Sequence, residues 1–481
     1  MIDTPTVELA PIAPELILVA TAIVVLLGGV VLRSVDRLVW LLASLVVVVA
    51  AAAAAIMLWD RGASTVLAGS VAVDRFGVVV RLIVLGVTAI GLLFGHHYLE
   101  RSGEARTEFY PLMLFAAAGM TLFSVSADLI VAFLALEILS LSLYVLTGFS
   151  QRLGSVEGAM KYFLLGAFSS AFFLFGVAMA YGATGSTSLA AISNALTGET
   201  GSVALALAAV GLLAVGFSFK VSAIPFHMWT PDVYQGAPTA ITAFMSAGTK
   251  VAAFAAFMRV FNVAFQPLTW DWQPIVWALA AISVIVGSVL AIAQTDIKRM
   301  LAYSSISHAG FVLMGLTAAG EVGISAALFY LMAYAITVIG AFGVVMLVSG
   351  RGERGTSLSS YAGLASRSQL AAALLTVFVL SLAGIPPTAG FIAKVSVFSA
   401  AVEGGAWPLA LIGVLASVVA AFFYLRVIVL MYMRDPEGAT EPDPSLLPRL
   451  TIAVAALGVL ILGVFPGLVI GFLDSAAVLS W

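Results

Sequence analysis

Fourteen stretches of about twenty apolar residues follow one another along the chain, and this constrains its fold more than any other feature. Runs between polar breaks fall at roughly 12–32, 38–59, 76–97, 109–127, 129–150, 160–182, 203–226, 237–261, 274–294, 301–319, 323–349, 370–396, 405–433 and 450–474. Each is long enough to cross a bilayer as a helix. The connections are short and none could hold a soluble domain; the most polar, from Arg434 to Arg449, is a brief Pro/Glu-rich loop. Composition agrees: 62% of the 481 residues are hydrophobic and 9% are charged, whereas a soluble domain carries about 25% charged residues. The expected fold is an all-α integral membrane protein of fourteen helices. The N-terminus opens with Asp3, Glu8 and Glu15 rather than a basic segment, so the first run reads as a retained helix and not a cleaved signal.

Basic residues set the orientation. With the N-terminus outside, thirteen lie in inside loops or at their edges: Arg33, Arg37, Arg101, Arg106, Arg152, Lys161, Lys298, Arg299, Arg351, Arg354, Arg367, Arg434 and Arg449. Three (Arg61, Arg75 and Arg259) lie outside, and five fall within spans. This bias predicts that both termini are outside, and one miscounted span would scramble it.

Several chemistries are excluded. The chain has no cysteine, so disulfides, cysteine-held iron–sulfur clusters and thiolate nucleophiles are out. Four histidines in no metal-binding spacing argue against haem or metal, and no phosphate-binding GxxxxGK[ST] loop occurs.

Charge inside the spans remains. Glu137 lies in VAFLALEILSLSLY, Lys220 in LLAVGFSFKVSAIPFHMW, Lys250 in ITAFMSAGTKVAAFAAF and Lys394 in LAGIPPTAGFIAKVSVF. Each costs on the order of 3 kcal/mol at mid-bilayer on insertion scales. Three amines and one carboxylate do not balance. An amine held between desolvation, which disfavours its charge, and a nearby carboxylate, which favours it, can exchange a proton near neutral pH. Snorkelling to the interface is the structural alternative, and Lys394, nearer a span end, is more open to it than the central Lys250.

Two of these spans are interrupted by proline. Pro225 follows Lys220, and Pro386–Pro387 precede Lys394, flanked by Gly384 and Gly390. Proline frees the carbonyl one turn back, and unwound backbone at membrane depth persists only when buried in protein or lining a watery cavity. The breaks fall in the seventh and twelfth spans. Their odd offset of five predicts two inverted five-helix repeats, spans 4–8 and 9–13. The expected divisions are 1–108 (three N-terminal helices), 109–261 and 274–433 (the repeats) and 450–481 (a last helix).

Two long strings carry a family resemblance. KVSAIPFHMWTPDVYQGAPTAITAFMSAGTK (Lys220–Lys250) and DIKRMLAYSSISHAGFVLMG (Asp296–Gly315) resemble the signature of the proton-translocating membrane subunits of respiratory complex I and of related multisubunit cation/proton antiporters. PDVYQGAP, GIPPTAGFIAK with its lysine, EGAMKYFLLGAFSSAFFLFG (Glu157–Gly176) and the end of the chain after the fourteenth run are similar to one subunit type within that family.

The resemblance implies a proton relay. Glu137 would pair with Lys220, Lys250 would be the central relay lysine, Lys394 the terminal one leading outside, and His308 would stand between the halves. It implies no redox centre in this chain. FMN and iron–sulfur clusters would belong to partner subunits, and quinone would bind elsewhere in the complex. Partners would be K-, J-, A- and M-type membrane subunits and lipid, with no nucleic acid and no homo-oligomer, in a bacterial plasma membrane. The competing function is a cation/proton antiporter subunit independent of electron transfer, or part of a related donor–quinone oxidoreductase.

Other polar residues read more plainly. His308 has Ser304, Ser305 and Ser307 nearby and suits a water-linked path or a satisfied core position. His227 is a relay or a structural cap. His96 and His97 read as interfacial, Tyr330 and Tyr334 as packing on one helix face, and Asp296, Lys298 and Arg299 as an inside-loop anchor. Arg81 and Arg426 pair with neighbours or sit near an interface, with no role assigned.

Overall fold

The structure, a computed structural model, describes residues 8–32, 34–103, 106–198, 200–318, 320–436 and 442–479. Asp3 and Arg33 lie outside the described residues, as does the side chain of Arg351. The chain opens with α1 (Ala13–Val31), α2 (Arg37–Ile56) and α3 (Arg75–Ser102). Then come α4 (Phe109–Val125), α5 (Leu129–Thr147), α6 (Leu153–Thr184), α7 (Leu189–Thr197), α8 (Val203–Val221), α9 (Trp229–Gly236) and α10 (Thr239–Arg259). The second half holds α11 (Thr269–Ile292), α12 (Ile297–Leu316), α13 (Glu321–Ser349), α14 (Leu364–Arg367), α15 (Gln369–Ala383), α16 (Ala389–Glu403) and α17 (Trp407–Met433). It closes with α18 (Leu446–Val464) and α19 (Gly467–Ala476).

Among the described residues, eleven helical segments are long and apolar enough to cross a membrane. Phe109–Val125, Gln369–Ala383 and Gly467–Ala476 are apolar but shorter. The last apolar run, expected as one helix, is two, parted at Phe465–Pro466. One small departure from an all-helical chain is an antiparallel hairpin of β1 (Ser64–Val66) and β2 (Val71–Val73) before α3.

Burial grades from the centre of the helix bundle to its rim. α10 and α13 form the centre, and α10 is buried along its whole length. α1, α2, α6, α17 and α18 turn exposed Leu, Val, Ile and Phe outward. With an apolar exterior solvent, helix association rests on close packing through small residues rather than on water exclusion. Between α11 and α12, a Cβ on Gly287 would lie 2.7 Å from Ser307 N, and one on Gly310 would lie 2.8 Å from Ala280 O. Neither position tolerates a side chain.

Buried ion pairs lock the periphery. Arg81 clasps Glu15 at 2.8 and 3.0 Å and donates to Pro11 O, joining α3 to α1. Arg259, expected at an outside loop edge, is fully buried and grips Asp74 at 2.6 and 3.0 Å. It lies at the end of α10, just before a π-helical turn at Val260–Ala264. Arg426 donates to Ile292 O and Gln294 O at the end of α11. His96 and His97, read as interfacial, are buried instead: His96 Nδ1 meets Tyr110 OH at 2.7 Å, and His97 Nε2 meets Asp443 Oδ2 at 2.9 Å.

Two backbone crossings match each other. Asp128 caps α5, Leu129 N donates to Thr187 O and Leu189 N to Ala127 O. Asp296 caps α12, Ile297 N donates to Thr356 O and Leu358 N to Thr295 O.

Candidate functional site

Both proline-broken segments end their first half alike. α8 closes at Ser222 (φ 66°), with Ser222 N donating to Phe219 O and Ala223 N to Ser218 O. α15 closes at Gly384 (φ 82°), with Gly384 N donating to Ser381 O and Ile385 N to Leu380 O. This paired bonding over a left-handed residue is the Schellman closure of a helix C-terminus. It satisfies earlier carbonyls and leaves the last helical one bare. In a continuing helix, Val221 O would accept from residue 225 and Ala383 O from residue 387; both are proline and have no N–H. The sequence placed these breaks correctly but not the elements beyond them. After the first break the chain forms α9, and after the second α16 runs on to Glu403, so Lys394 sits mid-helix rather than near a span end.

The freed carbonyls are occupied. Lys250 Nζ donates to Val221 O at 2.9 Å and to Ser305 O at 2.6 Å. Lys394 Nζ donates to Ala383 O at 2.8 Å and lies 4.9 Å from the Phe311 ring centre. Lys220 Nζ donates to Ser140 Oγ at 2.8 Å and Tyr162 OH at 3.3 Å. The Tyr162 ring stacks on Trp229 of α9. Lys220, Lys250 and Lys394 are 3%, 2% and 4% exposed, and none forms an ion pair within 4.0 Å among the described residues.

Glu137 is half-buried and accepts from Ser170 of α6. It does not pair directly with Lys220; Ser140, one turn along α5, is the residue that the lysine reaches.

His308 joins a tyrosine cluster built from α12, α13 and α17. Its Nδ1 lies 2.7 Å from Tyr330 OH and its Nε2 3.2 Å from Tyr424 OH. Tyr424 OH also bonds Ser304, and Tyr334 OH donates to Ser305 Oγ at 2.8 Å. Polar groups therefore connect Lys250, through Ser305, to Tyr334, whose ring centre lies 5.1 Å from that of His308. Phe311 stands between His308 and Lys394, 6.0 Å from the His308 ring centre. Tyr330 and Tyr334, read as packing residues, put their hydroxyls into this cluster. Among the described residues His227 makes no hydrogen bond to either lysine. Tyr424, Tyr162, Ser140 and Ser170 escaped the sequence reading, because lone Tyr and Ser in apolar runs have no spacing signal.

On the face read as inside, Glu353 ties several helix starts together. It accepts from Lys298 Nζ at 3.0 Å and from the Thr239 N–H that opens α10, and it forms an ion pair with Arg152 Nη2 at 2.9 Å. Burial pushes its carboxyl up, but the Lys298 and Arg152 charges and the Thr239 N–H outweigh this and hold it below the ordinary carboxylate range. Asp232 bridges Lys161 at 2.7 Å and Arg299 at 2.6 Å, beside a cavity of about 430 Å³ lined by Arg152, Gly158 and Gly236. The anchor read at Asp296, Lys298 and Arg299 is thus built of specific pairs.

Comparison with known proteins fits this architecture. The family model for NADH:quinone oxidoreductase/Mrp antiporter transmembrane proteins matches residues 126–420. NADH-quinone oxidoreductase subunit N of Rhodococcus opacus is 52% identical over 382 residues, covering 79% of this chain and 71% of that one. A chain of respiratory complex I from Thermus thermophilus superposes with a TM-score of 0.83 at 36% identity, over 96% of this chain and all of that one. A chain of the Mrp complex from Dietzia shares the fold, with a TM-score of 0.85 at 22% identity, over 96% and 97%. The chain belongs to the NADH:quinone oxidoreductase/Mrp antiporter transmembrane family, as a multi-pass subunit of a bacterial membrane. Within that family it is of the subunit N type: an antiporter-like, proton-translocating membrane subunit of NADH-quinone oxidoreductase, respiratory complex I.

Proposed function

We propose that Lys220, Lys250, His308 and Lys394 carry protons in turn, with Glu137 as the charge that biases Lys220. One observation carries the reading: three lysines are buried among neutral acceptors, with no carboxylate in contact. A purely structural lysine at this depth would be expected in an ion pair, as Arg81 and Arg259 are. Protons enter from the inside face to Lys220 and Lys250, pass the Ser305, Tyr334, His308 and Tyr424 groups, and reach Lys394, from which they leave outside. The buried Ser218 and Thr249 hydroxyls, which have no hydrogen-bond partner among the described residues, are placed to bind water along the way. Glu137 acts on Lys220 through the field rather than by contact. Two unit charges at 4 Å are worth about 4 kcal/mol at an effective dielectric of 20, and less when farther apart.

The architecture that we propose around this path has fourteen spans, counting α8 with α9, α15 with α16 and α18 with α19 as one each. Residues 109–261 and 274–433 are the inverted repeats, flanked by 1–108 and 450–481. The matched closures at Ser222 and Gly384 and the matched crossings at Asp128 and Asp296 support this. Both termini lie outside, which single cysteines introduced near them into this cysteine-free chain would test by membrane-impermeant labelling. Neighbouring K-, J-, A- and M-type subunits complete the membrane arm, quinone binds elsewhere in the complex, and FMN and iron–sulfur clusters belong to other partners.

The test is pumping in the assembled complex. Glu137→Gln and Lys220→Ala should abolish proton translocation while the complex still assembles; normal pumping by both overturns the relay.

A further inference from the structure

Lys220 donates to two neutral hydroxyls, and the two are held in different ways. Ser140 is fixed by its own helix, because its hydroxyl also bonds Leu136 O. Tyr162 is fully buried on α6, and among the described residues its hydroxyl has one hydrogen bond, the one from Lys220. A tyrosine oxygen stands at the end of a rigid ring, so its place is set by whatever fixes that ring.

Two aromatic neighbours fix it. Tyr144 meets the Tyr162 ring edge-on, with centroids 4.7 Å apart and planes at 83°. Trp229 of α9 lies parallel to it, with centroids 4.5 Å apart and planes at 4°. The indole is itself tethered: its Nε1 donates to Phe219 O at 2.9 Å, the carbonyl of the residue before Lys220. A closed circuit results. The amine meets the hydroxyl, the phenol ring meets the indole, and the indole returns to the backbone that carries the amine. Lys220, Tyr162 and Trp229 are all buried within it. Trp229 also borders an apolar cavity of about 200 Å³, lined by Leu165, Phe168, Phe172, Phe219 and Phe226. With space beside the indole, packing alone does not hold it, and the bond to Phe219 O supplies the missing constraint. A buried indole N–H needs such a partner in any case.

We propose that Trp229 is a positioning residue for Lys220: tied to Phe219 O, its indole holds the Tyr162 ring by stacking, so that the Tyr162 hydroxyl meets the amine. This rests on the relay reading of Lys220. Trp229 touches no proton of the path and acts wholly through Tyr162. Its loss therefore matters only while Tyr162 has a hydroxyl to place.

A double-variant cycle on protons pumped per quinone reduced, in the intact complex in vesicles, tests this. Tyr162→Phe keeps the ring and removes the oxygen, and should lower the ratio about fivefold. Trp229→Leu removes the stack and the tether, and should also lower it about fivefold. The two together should pump no less than Tyr162→Phe alone. Losses that multiply to about twenty-five-fold overturn the proposal, because Trp229 then acts on something other than that hydroxyl. A parental ratio in either single variant overturns it too. A merely structural role would reduce the amount of assembled complex equally with or without the hydroxyl, and would leave the ratio unmoved. Should Trp229→Leu fail to assemble, Trp229→Phe, which keeps a ring but loses the N–H tether, enters the same cycle with the same outcomes. Lys220→Ala separates the two levels. If it pumps normally, the relay itself fails; if it stops pumping while the losses multiply, only the positioning role fails.

Discussion

Lys220 and Glu137 form no ion pair: the amine donates to Ser140 Oγ at 2.8 Å, and the carboxylate accepts from Ser170 of the neighbouring helix. Ser140 is one turn along α5 from Glu137 and its own hydroxyl bonds Leu136 O, so its lone pair faces the lysine in a fixed direction. Ser140→Ala removes this acceptor and leaves only Tyr162 OH at 3.3 Å. A hydrogen bond to a charged group contributes about 1.5–3 kcal/mol, so pumping in Ser140→Ala should fall on the order of tenfold with assembly unchanged. Proton flux per quinone reduced is the measurement, and an unaltered ratio counts against Ser140 as the contact.

Tyr424 offers a sharper test of the proposed path past His308. Its single hydroxyl serves both Ser304 and His308 Nε2, and no other group does so among the described residues. Tyr424→Phe keeps the ring, which packs beside Phe423, and removes only the oxygen. Pumping should drop about tenfold or more, while heat stability shifts little. Tyr330→Phe should have a comparable effect through Nδ1. Full pumping by the double variant would show that protons bypass His308.

How much of this was legible depends on what each residue costs. Lys250 and Lys394 stood out because a charge in an apolar run has few cheap explanations, and the breaks because proline cannot donate. Tyr162, Tyr330 and Tyr424 did not stand out, since a tyrosine in an apolar helix is ordinary packing until its hydroxyl is seen to have a partner. Arg259 was misplaced by counting charges: position in sequence says loop edge, and only the partner Asp74, 185 residues away, shows that it is interior. His96 and His97 failed alike, because Asp443 lies 346 residues from His97. Helix ends were lost for a local reason. α6 begins at Leu153, before its apolar run, since Glu157 and Lys161 pair across one helical turn at 2.7 Å and support a polar first stretch.

Glu353 ties stability to acid. Its folded carboxyl titrates below its ordinary value near 4.5, so its contribution is complete above that value and drains away only as pH falls through the lower, folded one. Glu353→Gln leaves Lys298, fully buried, without its carboxylate, which costs about 3–5 kcal/mol. Thermal denaturation of the purified complex should therefore show the variant destabilised at pH 7, with the gap to the parent closing in acid as the folded carboxyl protonates below its ordinary value. A gap that stays constant into acid would mean that Glu353 is not the group being titrated.

The Asp74–Arg259 pair predicts the opposite division between stability and transport. Asp74 does two things: Oδ1 caps α3 by accepting Gly77 N–H at 2.7 Å, and both oxygens hold the Arg259 guanidinium, which also donates to Ser124 O at 2.9 Å. None of these groups touches a lysine of the relay. Asp74→Asn keeps a cap acceptor but takes from a fully buried arginine the carboxylate that grips it, which costs about 3–5 kcal/mol. Arg259 cannot shed its proton to escape. Less complex should assemble, and it should melt at lower temperature. Replacing both partners, Asp74→Leu with Arg259→Met, removes both buried charges and should recover most of the loss, since a buried pair is often exchangeable for packed apolar groups. Protons pumped per assembled complex should stay at the parent's value in both the single and the double variant. If Asp74→Asn instead assembles fully and pumps less, the pair belongs to the transport path rather than to the frame that holds α10 in place.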